Sequence, residues 1–505
     1  TFTCGTSIVI FNGTTAQTIT SGGNAFHNIQ ISNTTAAVSP VTSDLAMDGT
    51  LTIDGGAIFD IAGKGFSAAA VQNNGTFRLE GGEVVTITTL NYDAGLFEYY
   101  GAGTFNGLAA GYHYYDVTFN NASGVWILQG SLDVDNDLNI TSGELNAGGD
   151  TEGYNVTVGG DLINAGTFTH KNDKVTFDGT TTQLFDPGAS TFYDLVISNA
   201  SADVDLTGHA LTVLHSLTIS TGASLDIADL DLTATGATFI NGGILKLTGD
   251  QTVTDLADVS DGGTVMYTGS NTYTGLLLGN AYHGLTLNGT GSYTLNDALT
   301  VTEDFTITQG TLDAAGYNMT IGGSWTNIDG TFIHGNNTVT LAGNGWYVGG
   351  INSGGTSFGH TFYNLMIADG NGTTTVIDNP LYVEGDLIIA TSAGLYLNGQ
   401  DLIMTVGKTF SNEGMFRLNG TETLTNVAGD ADSGTVQYVG RGIAENITIK
   451  DFGTPDYFIL TINDTHAAKA TFILASELYV VDDLNITSGT LNVTAANYSI
   501  TLGGD

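Results

Sequence analysis

Cysteine, proline and basic residues are scarce in this 505-residue sequence, which has one, four and ten of them. The single cysteine, Cys4, excludes an internal disulfide framework and any motif built from paired cysteines. We expect Cys4 to be a small buried hydrophobe, with an intermolecular disulfide as the alternative. Four prolines exclude a proline-rich disordered chain. No apolar run approaches the length of about 18 residues that a membrane span needs, so we expect no membrane insertion.

Basic residues are outnumbered by acidic ones, 10 against 51, which gives a formal net charge of −41. Nucleic-acid binding needs lysine and arginine to neutralise phosphates, so we expect no nucleic-acid partner. Charged residues make up only 12% of the chain, whereas apolar residues make up 41%. The apolar share is large enough to bury a long core, which excludes wholesale disorder.

Thr, Ser, Asn, Asp and 71 glycines take the place of the usual charged surface. These residues disfavour helix interiors and favour strands or turns, so the composition predicts an all-β protein. Short segments alternate apolar and polar residues, as half-buried strands do. Examples are residues 51–53, 156–158, 217–219, 225–227, 230–232 and 245–247.

An aromatic-anchored segment recurs along the chain at alternating long and short spacings, so the repeating unit is a pair of modules about 166 to 170 residues long. Three such super-repeats fill the sequence, with approximate borders at 1–166, 167–330 and 331–505. The anchors are Phe26, Tyr114, Phe192, Tyr282, Phe362 and Tyr457. We expect their rings to pack in the core or at corners, in preference to forming sugar-binding platforms.

Strands of three to five residues joined by brief turns predict the rungs of a β-solenoid, a parallel β-helix with roughly 20–25 residues per coil. We expect one continuous solenoid over residues 1–505. The alternative is a string of immunoglobulin-like β-sandwich domains, because a module of about 85 residues is also the size of such a domain. Sandwich strands are usually longer and tandem domains usually have linkers, so the solenoid is preferred.

The repeat motif is carried by residues 143–168, 175–183 and 192–199. It resembles the cell-surface β-strand-repeat proteins of bacteria and archaea, and the resemblance extends over essentially the whole chain. It implies a parallel β-helix in a secreted or surface-anchored protein. It is specific to the style of repeat and transfers no functional residues.

Asp133, Asp135 and Asp137 form the sharpest metal candidate, with Glu144 eleven positions after Asp133. Carboxylates at alternate positions before a glutamate resemble a Ca²⁺-binding loop. However, Leu138 stands where such a loop needs glycine, and the segment also has the pattern of a strand. The sequence therefore leaves two interpretations, a Ca²⁺ site and an exposed acidic strand face.

Catalytic residues are not evident. A β-helical polysaccharide lyase needs a basic residue as proton acceptor, and the only close basic pair is Lys171 with Lys174. His170 and His334 share one repeat position but lie a super-repeat apart, so we expect them to be turn-edge residues and not zinc ligands. We therefore expect no enzymatic activity, and no cofactor unless Ca²⁺ binds.

Residues 1–4 occupy the repeat position of residues 167–170, and Asp505 occupies that of Asp161. Neither terminus resembles the polar cap that usually closes a repeat array. A fragment of a longer array, a chain trimmed to its ordered part and a protomer that stacks head to tail all fit this pattern. We expect the last of these, with copies that stack into an extracellular filament, sheath or surface layer. A polysaccharide- or cell-binding adhesin, with extracellular glycans as partners, is the first alternative, and a β-helical lyase or hydrolase is the second.

Overall fold

The computed structural model describes residues 5–149, 153–256, 259–260, 262–343, 350–352, 361–368, 370, 372–494 and 497–505. Within these residues the protein is all-β and has no helix. Every strand pairing is parallel, and paired residues lie one coil apart in sequence. Ile8 pairs with Asn28, 20 positions later, and Asn139 pairs with Ile163, 24 positions later. The predicted β-solenoid is confirmed, because tandem sandwiches would be antiparallel.

The chain divides into two compact units. The first comprises Thr1–Lys246 with Gln251–Asp258, and the second comprises Leu247–Asp250 with Val259–Asp505. The two units together hold about 22 turns. Continuity of one solenoid over residues 1–505, and the super-repeat borders at 166 and 330, stay predictions.

The strands of the first unit are short, and β28 has its last residue in the second unit. They are β1 (Ile8–Phe11), β2 (Gln17–Ile19), β3 (Asn28–Ile31), β4 (Val38–Pro40), β5 (Leu45–Ala46), β6 (Thr50–Ile53), β7 (Ile58–Asp60), β8 (Phe66–Asn73), β9 (Thr76–Leu79), β10 (Val85–Leu90), β11 (Leu96–Tyr99), β12 (Gly103–Asn106), β13 (His113–Tyr114), β14 (Asp116–Ile127), β15 (Leu132–Val134), β16 (Leu138–Asn146), β17 (Val156–Val158), β18 (Leu162–Asn164), β19 (Thr167–Thr169), β20 (Lys174–Phe177), β21 (Gln183–Asp186), β22 (Phe192–Ile197), β23 (Asp203–Leu206), β24 (Leu211–Ile219), β25 (Ser224–Asp226), β26 (Leu232–Thr233), β27 (Thr238–Asn241), β28 (Ile244–Leu247) and β29 (Val253–Thr254).

The strands of the second unit have the same character. They are β30 (Thr264–Tyr267), β31 (Thr272–Thr274), β32 (Ala281–Tyr282), β33 (Gly284–Leu287), β34 (Ser292–Thr294), β35 (Leu299–Val301), β36 (Phe305–Ile307), β37 (Thr311–Asp313), β38 (Met319–Ile321), β39 (Trp325–Asn327), β40 (Thr331–Ile333), β41 (Thr338–Leu341), β42 (Gly350–Asn352), β43 (Asn364–Ile367), β44 (Thr373–Asp378), β45 (Leu381–Val383), β46 (Leu387–Ile389), β47 (Gly394–Tyr396), β48 (Leu402–Met404), β49 (Phe410–Asn412), β50 (Met415–Leu418), β51 (Leu424–Thr425), β52 (Thr435–Tyr438), β53 (Asn446–Thr448), β54 (Ile459–Asn463), β55 (Thr471–Ile473), β56 (Leu478–Val480), β57 (Leu484–Ser488), β58 (Thr490–Asn492) and β59 (Ile500–Leu502).

Three parallel ladders carry most of the first unit. They run β1-β3-β6-β8-β10, β2-β4-β7-β9-β11-β14-β16, and β13-β15-β17-β20-β22-β24. Alternate residues of each strand point inward, as in β6, where Leu51 and Ile53 are fully buried between half-exposed threonines. Like side chains therefore stack from rung to rung. Phe77 lies 5.4 Å from Phe59 and 5.2 Å from Phe97 between ring centroids.

In the second unit the longest ladder runs β30-β33-β36-β39-β42-β44-β47-β50-β52-β54-β57. The core of the second unit has the same rung-to-rung aromatic packing. Tyr273 of β31 stacks on Tyr293 of β34 with a centroid separation of 4.6 Å. Five of the six predicted anchors are buried and belong to the core, as predicted; Phe26 is half-buried. The five are Tyr114, Phe192, Tyr282, Phe362 and Tyr457.

Candidate functional site

Aspartate and asparagine side chains form a system of rung-to-rung hydrogen bonds in both units. In each bond a side-chain oxygen accepts from a backbone N–H one coil later, as when Asp137 Oδ1 accepts from Asp161 N at 2.9 Å. Further acceptors are Asp44, Asp116, Asp161, Asp231, Asp304, Asp386, Asp401, Asp483, Asn28, Asn155, Asn318 and Asn364. In these bonds each rung presents acceptors to the rung that follows it, whereas Asn91 Oδ1 and Asp430 Oδ2 accept from Asn73 N and Asn412 N of the preceding rung.

Inside the first unit, the side-chain amide of Gln183 donates to the preceding rung, whereas the aspartates and asparagines above accept from the following rung. Gln183 Nε2 donates to Val158 O at 2.9 Å and to Gly160 O at 2.7 Å, both on the preceding rung. Its Oε1 accepts from Gly179 N and from Asn199 Nδ2. Four hydrogen bonds therefore fix this fully buried side chain between two rungs.

Gln17, which lies 166 positions before Gln183, makes the two matching Oε1 contacts. Its Oε1 accepts from Gly13 N at 2.8 Å and from Asn33 Nδ2 at 3.2 Å. In the described part of the chain, no acceptor is found for Gln17 Nε2. Its strand β2 pairs with β4 and has no pairing with an earlier rung there. The sequence analysis missed both glutamines, although the common spacing of Gly, Gln and Asn in the two copies was a usable signal.

Within the described residues, β1 pairs with β3 and β59 pairs with β56, each on one side. In β1, Ile8 and Ile10 are 50% and 51% exposed, and Val9 and Phe11 are half-buried. In β59, Leu502 is 43% exposed. At these edges apolar side chains and backbone groups lie uncovered within the described residues.

Two of the three predicted metal ligands come together, and the third does not. Asp133 on the outer face of β15 and Asp135, the first residue after that strand, both lie beside His113, which the sequence analysis missed. Asp137 is instead bonded to the amide of Asp161. Burial and, to a smaller extent, the charges of Asp161 and Asp116 raise the pKa of Asp137. Asp133 is exposed between two buried residues of its strand, and the two interpretations of the sequence, a Ca²⁺ site and an exposed acidic strand face, both stay predictions.

The remaining candidates are not brought together into a site. Glu144 Oε1 accepts from Asn146 Nδ2 at 2.9 Å within its own strand. His170 stacks on Tyr193 at 6.1 Å, and burial lowers the pKa of its imidazole. His334 lies 3.4 Å from Glu384. Lys171 and Lys174 are both exposed, and Cys4 lies outside the described residues.

Buried tyrosine pairs recur once in each super-repeat. Tyr99 and Tyr114 hydroxyls lie 2.7 Å apart, and the second and third copies have the same contact at 2.9 and 3.1 Å. The later pairs are Tyr267 with Tyr282 and Tyr438 with Tyr457. Burial raises the pKa of every one of these phenols, that of Tyr267 to about 12. The phenols are therefore neutral at ordinary pH, and each hydroxyl is bonded to its buried partner.

Comparison with known protein families, with curated proteins and with solved structures finds no match. Within the described residues, no helix has the length and apolar character required to cross a membrane. Fold and local geometry are accordingly the observations that bear on function.

Proposed function

We propose that this chain is a non-enzymatic, extracellular structural protein whose copies stack end to end into a surface filament or layer. The observation that supports this most is the matched pair of glutamines. Gln183 donates to Val158 O and Gly160 O of the rung before it. By repeat position, Gln17 would donate to the carbonyls of Leu502 and Gly504 in a preceding copy.

The strand register supports the same junction. Inside the first unit, Val156 pairs with Val175 and Val158 with Phe177. The residues at these repeat positions in β59 and β1 are Ile500 with Val9, and Leu502 with Phe11. A second copy would therefore extend the ladder without any change of register.

Burial gives the driving force for stacking. Val175 and Phe177 are 1% and 0% exposed because the preceding rung covers them, whereas Val9 and Phe11 are only half-buried. Burying apolar surface contributes about 25 cal/mol per Å². The polarity of the side-chain bonds adds specificity: Asp161 Oδ1 accepts from Leu184 N at 2.7 Å, and the corresponding partners at the junction are Asp505 and Thr18.

The extracellular location rests on the resemblance of the repeats to cell-surface β-strand-repeat proteins and on the acidic, lysine-poor surface. The family type, the glycan-binding adhesin and the lyase or hydrolase remain predictions from the sequence.

A proline at one open edge tests the stacking. Asp178 N donates to Val158 O, so Val158 faces the following rung, and Leu502 has the same repeat position. Leu502→Pro would remove a forward-facing N–H while the backward bond from Gly503 N to Val480 O remains. We expect wild-type filaments in negative-stain electron microscopy, and shorter filaments or single molecules for Leu502→Pro with an unchanged Tm.

The matched control is Val158→Pro, which removes the same donor inside the ladder. It should cost about 3 kcal/mol of folding stability or more. A wild-type chain that stays monomeric in sedimentation at all concentrations and salt conditions would contradict the proposal. So would filaments of equal length in Leu502→Pro.

A further inference from the structure

A histidine and two aspartates converge on the outer face of the first unit. His113 of β13 and Asp133 of β15 are register partners on adjacent rungs, and Asp135 follows two positions later on the same face. Because Leu132 and Val134 are buried on the opposite face, β15 holds the Asp133 carboxylate outward, and Asp135, the first residue after the strand, is exposed as well. The three side chains are 38%, 56% and 42% exposed, which leaves room for water as additional ligands.

The distances in this cluster fit one small cation. His113 Nε2 lies 3.0 Å from each carboxylate oxygen of Asp135 and 3.8 Å from Asp133 Oδ2. Ligand atoms about 2.0–2.2 Å from a zinc-sized ion stand roughly 3.3–3.6 Å from one another in a tetrahedron. The distances from His113 Nε2 to the two carboxylates differ from these values by only a few tenths of an ångström, and all three donor atoms lie within 4.8 Å of one another.

The imidazole is held in place by an aromatic neighbour. The Tyr92 ring stacks on His113 with a centroid separation of 3.9 Å and an interplanar angle of 10°. Stacking restricts rotation of the histidine ring and keeps Nε2 directed at the two aspartates, so less side-chain entropy is lost when an ion binds.

The surroundings add negative charge without filling the coordination sphere. Asp178 has the repeat position of Asp135 two rungs later, or roughly 10 Å away. The residue between them is Gly159. Any side chain at this position would clash with the carbonyl oxygen of Asp135. Burial raises the pKa of Asp178, and the charges of Asp133 and Asp135 raise it further. The face thus attracts cations.

The donor set selects the kind of ion. Ca²⁺ takes six to eight oxygen ligands, and Asp137, which the sequence offered as a third carboxylate, is engaged with the next rung. One imidazole nitrogen with two carboxylates instead suits first-row transition ions, whose affinity for nitrogen ligands exceeds that of Ca²⁺. We propose that His113, Asp133 and Asp135 bind a divalent transition-metal ion of the Zn²⁺ or Co²⁺ type.

A second histidine supplies a matched control. His215 stacks on Tyr193 at 4.5 Å, and its Nδ1 lies 2.7 Å from Asp194 Oδ1. It has the same aromatic neighbour and one carboxylate, but it is not part of a three-ligand cluster. Among the described residues, only the His113 group brings three such ligand atoms within 4.8 Å.

The test is calorimetric titration of the metal-stripped 505-residue chain with Zn²⁺, in excess Mg²⁺ so that non-specific carboxylate binding is saturated. We expect one saturable site, which His113→Ala weakens at least about tenfold and Asp135→Asn weakens similarly, while His215→Ala leaves it unchanged. Titration with Co²⁺ should give a visible absorption band that is lost in His113→Ala.

Absence of saturable binding, or equal affinity in His113→Ala and wild type, would overturn the proposal. Displacement of Zn²⁺ by equimolar Ca²⁺ would overturn the choice of ion. Circular dichroism checks that each variant is folded. Filament length in the same samples distinguishes this site from the stacking proposal, because His113 is far in sequence from both open rungs and its loss should not alter stacking.

Discussion

The first rung and its copy 166 residues later have nearly the same local structure but differ in what covers them. Around Asn33 and Asn199 the bonds match: each Oδ1 accepts from two backbone amides, and each Nδ2 donates to a carbonyl at 2.7 Å and to a glutamine. Yet Phe177 is fully buried, whereas Phe11 at the same repeat position is half-buried.

The difference separates two contributions to a solenoid. The Asn33 Oδ1 bonds are made to amides two and three residues later, and its Nδ2 bonds join the first rung to the second, so none of them needs a rung before the first. Burial of the strand's apolar face needs a rung on each side, so interfaces between rungs supply much of the stability of a repeat protein. Within the described residues, β1 therefore keeps its turn bonds but has less of its apolar face buried than β20.

The largest expected effect comes from deleting the matched phenylalanines. Phe177→Ala removes a ring that is 0% exposed and should lower the free energy of unfolding by about 3–5 kcal/mol. Phe11→Ala removes a half-buried ring and should cost about 1–2 kcal/mol in the monomer. Urea denaturation of the two variants at low protein concentration measures both values.

Equal losses in the two variants would contradict the view that the open rung lacks half of its packing. The same measurement at filament-forming concentration sharpens the comparison. If a second copy covers Phe11, its deletion should then approach the cost of Phe177→Ala.

The fold was largely predictable. The alternation of apolar and polar residues in short segments such as 51–53 and 156–158 indicates which side chains face inward. The cluster at His113 was not, because it depends on which residues face each other on different rungs. Register follows from the exact number of residues per coil, and that number varies from 20 to 24 in the pairings of Ile8 and Asn139. An offset of one residue would put His113 beside Leu132 or Val134 and not Asp133.

Asp137 is a second case in which the sequence did not predict which residues come together. Its spacing from Asp133 and Asp135 suggested a shared ion, but a strand ends at Val134 and another begins at Leu138. The chain turns between them, so the Asp137 side chain reaches the next rung's amide. The direction in which a side chain points at a corner depends on the path of the coil, and the spacing of residues in the sequence does not determine it.

The second prediction concerns a buried carboxylate that the open rung lacks. Asp173 is 1% exposed, and burial raises its pKa to about 7, while the first copy has exposed Ser7 at this position. An unfolded aspartate has a pKa near 3.9, so folding must keep a proton that the unfolded chain releases. The stability present below about pH 4 is therefore lost as pH rises through 7.

Asparagine is the natural replacement, because Asn337 has this position in the next super-repeat and its Nδ2 donates to Tyr317 O at 3.0 Å. Asp173→Asn should raise Tm by a few degrees at pH 8 and by much less at pH 4. Thermal unfolding at the two pH values measures the difference. A variant with the same gain at both values would show that ionisation of Asp173 is not the cause.

The smallest effect concerns the matched glutamines. Gln183→Ala breaks four hydrogen bonds, including those that its amide donates to Val158 O and Gly160 O, so it should cost about 2–3 kcal/mol. Gln17→Ala breaks the two bonds to Gly13 and Asn33 and should cost about 1 kcal/mol in the monomer. In filaments the order should change, because Gln17 then gains two acceptors, and its variant should dissociate at higher protein concentration than wild type in sedimentation. If Gln17→Ala filaments are as stable as wild type, the glutamine does not bridge the junction, and stacking must rest on strand pairing and apolar burial alone.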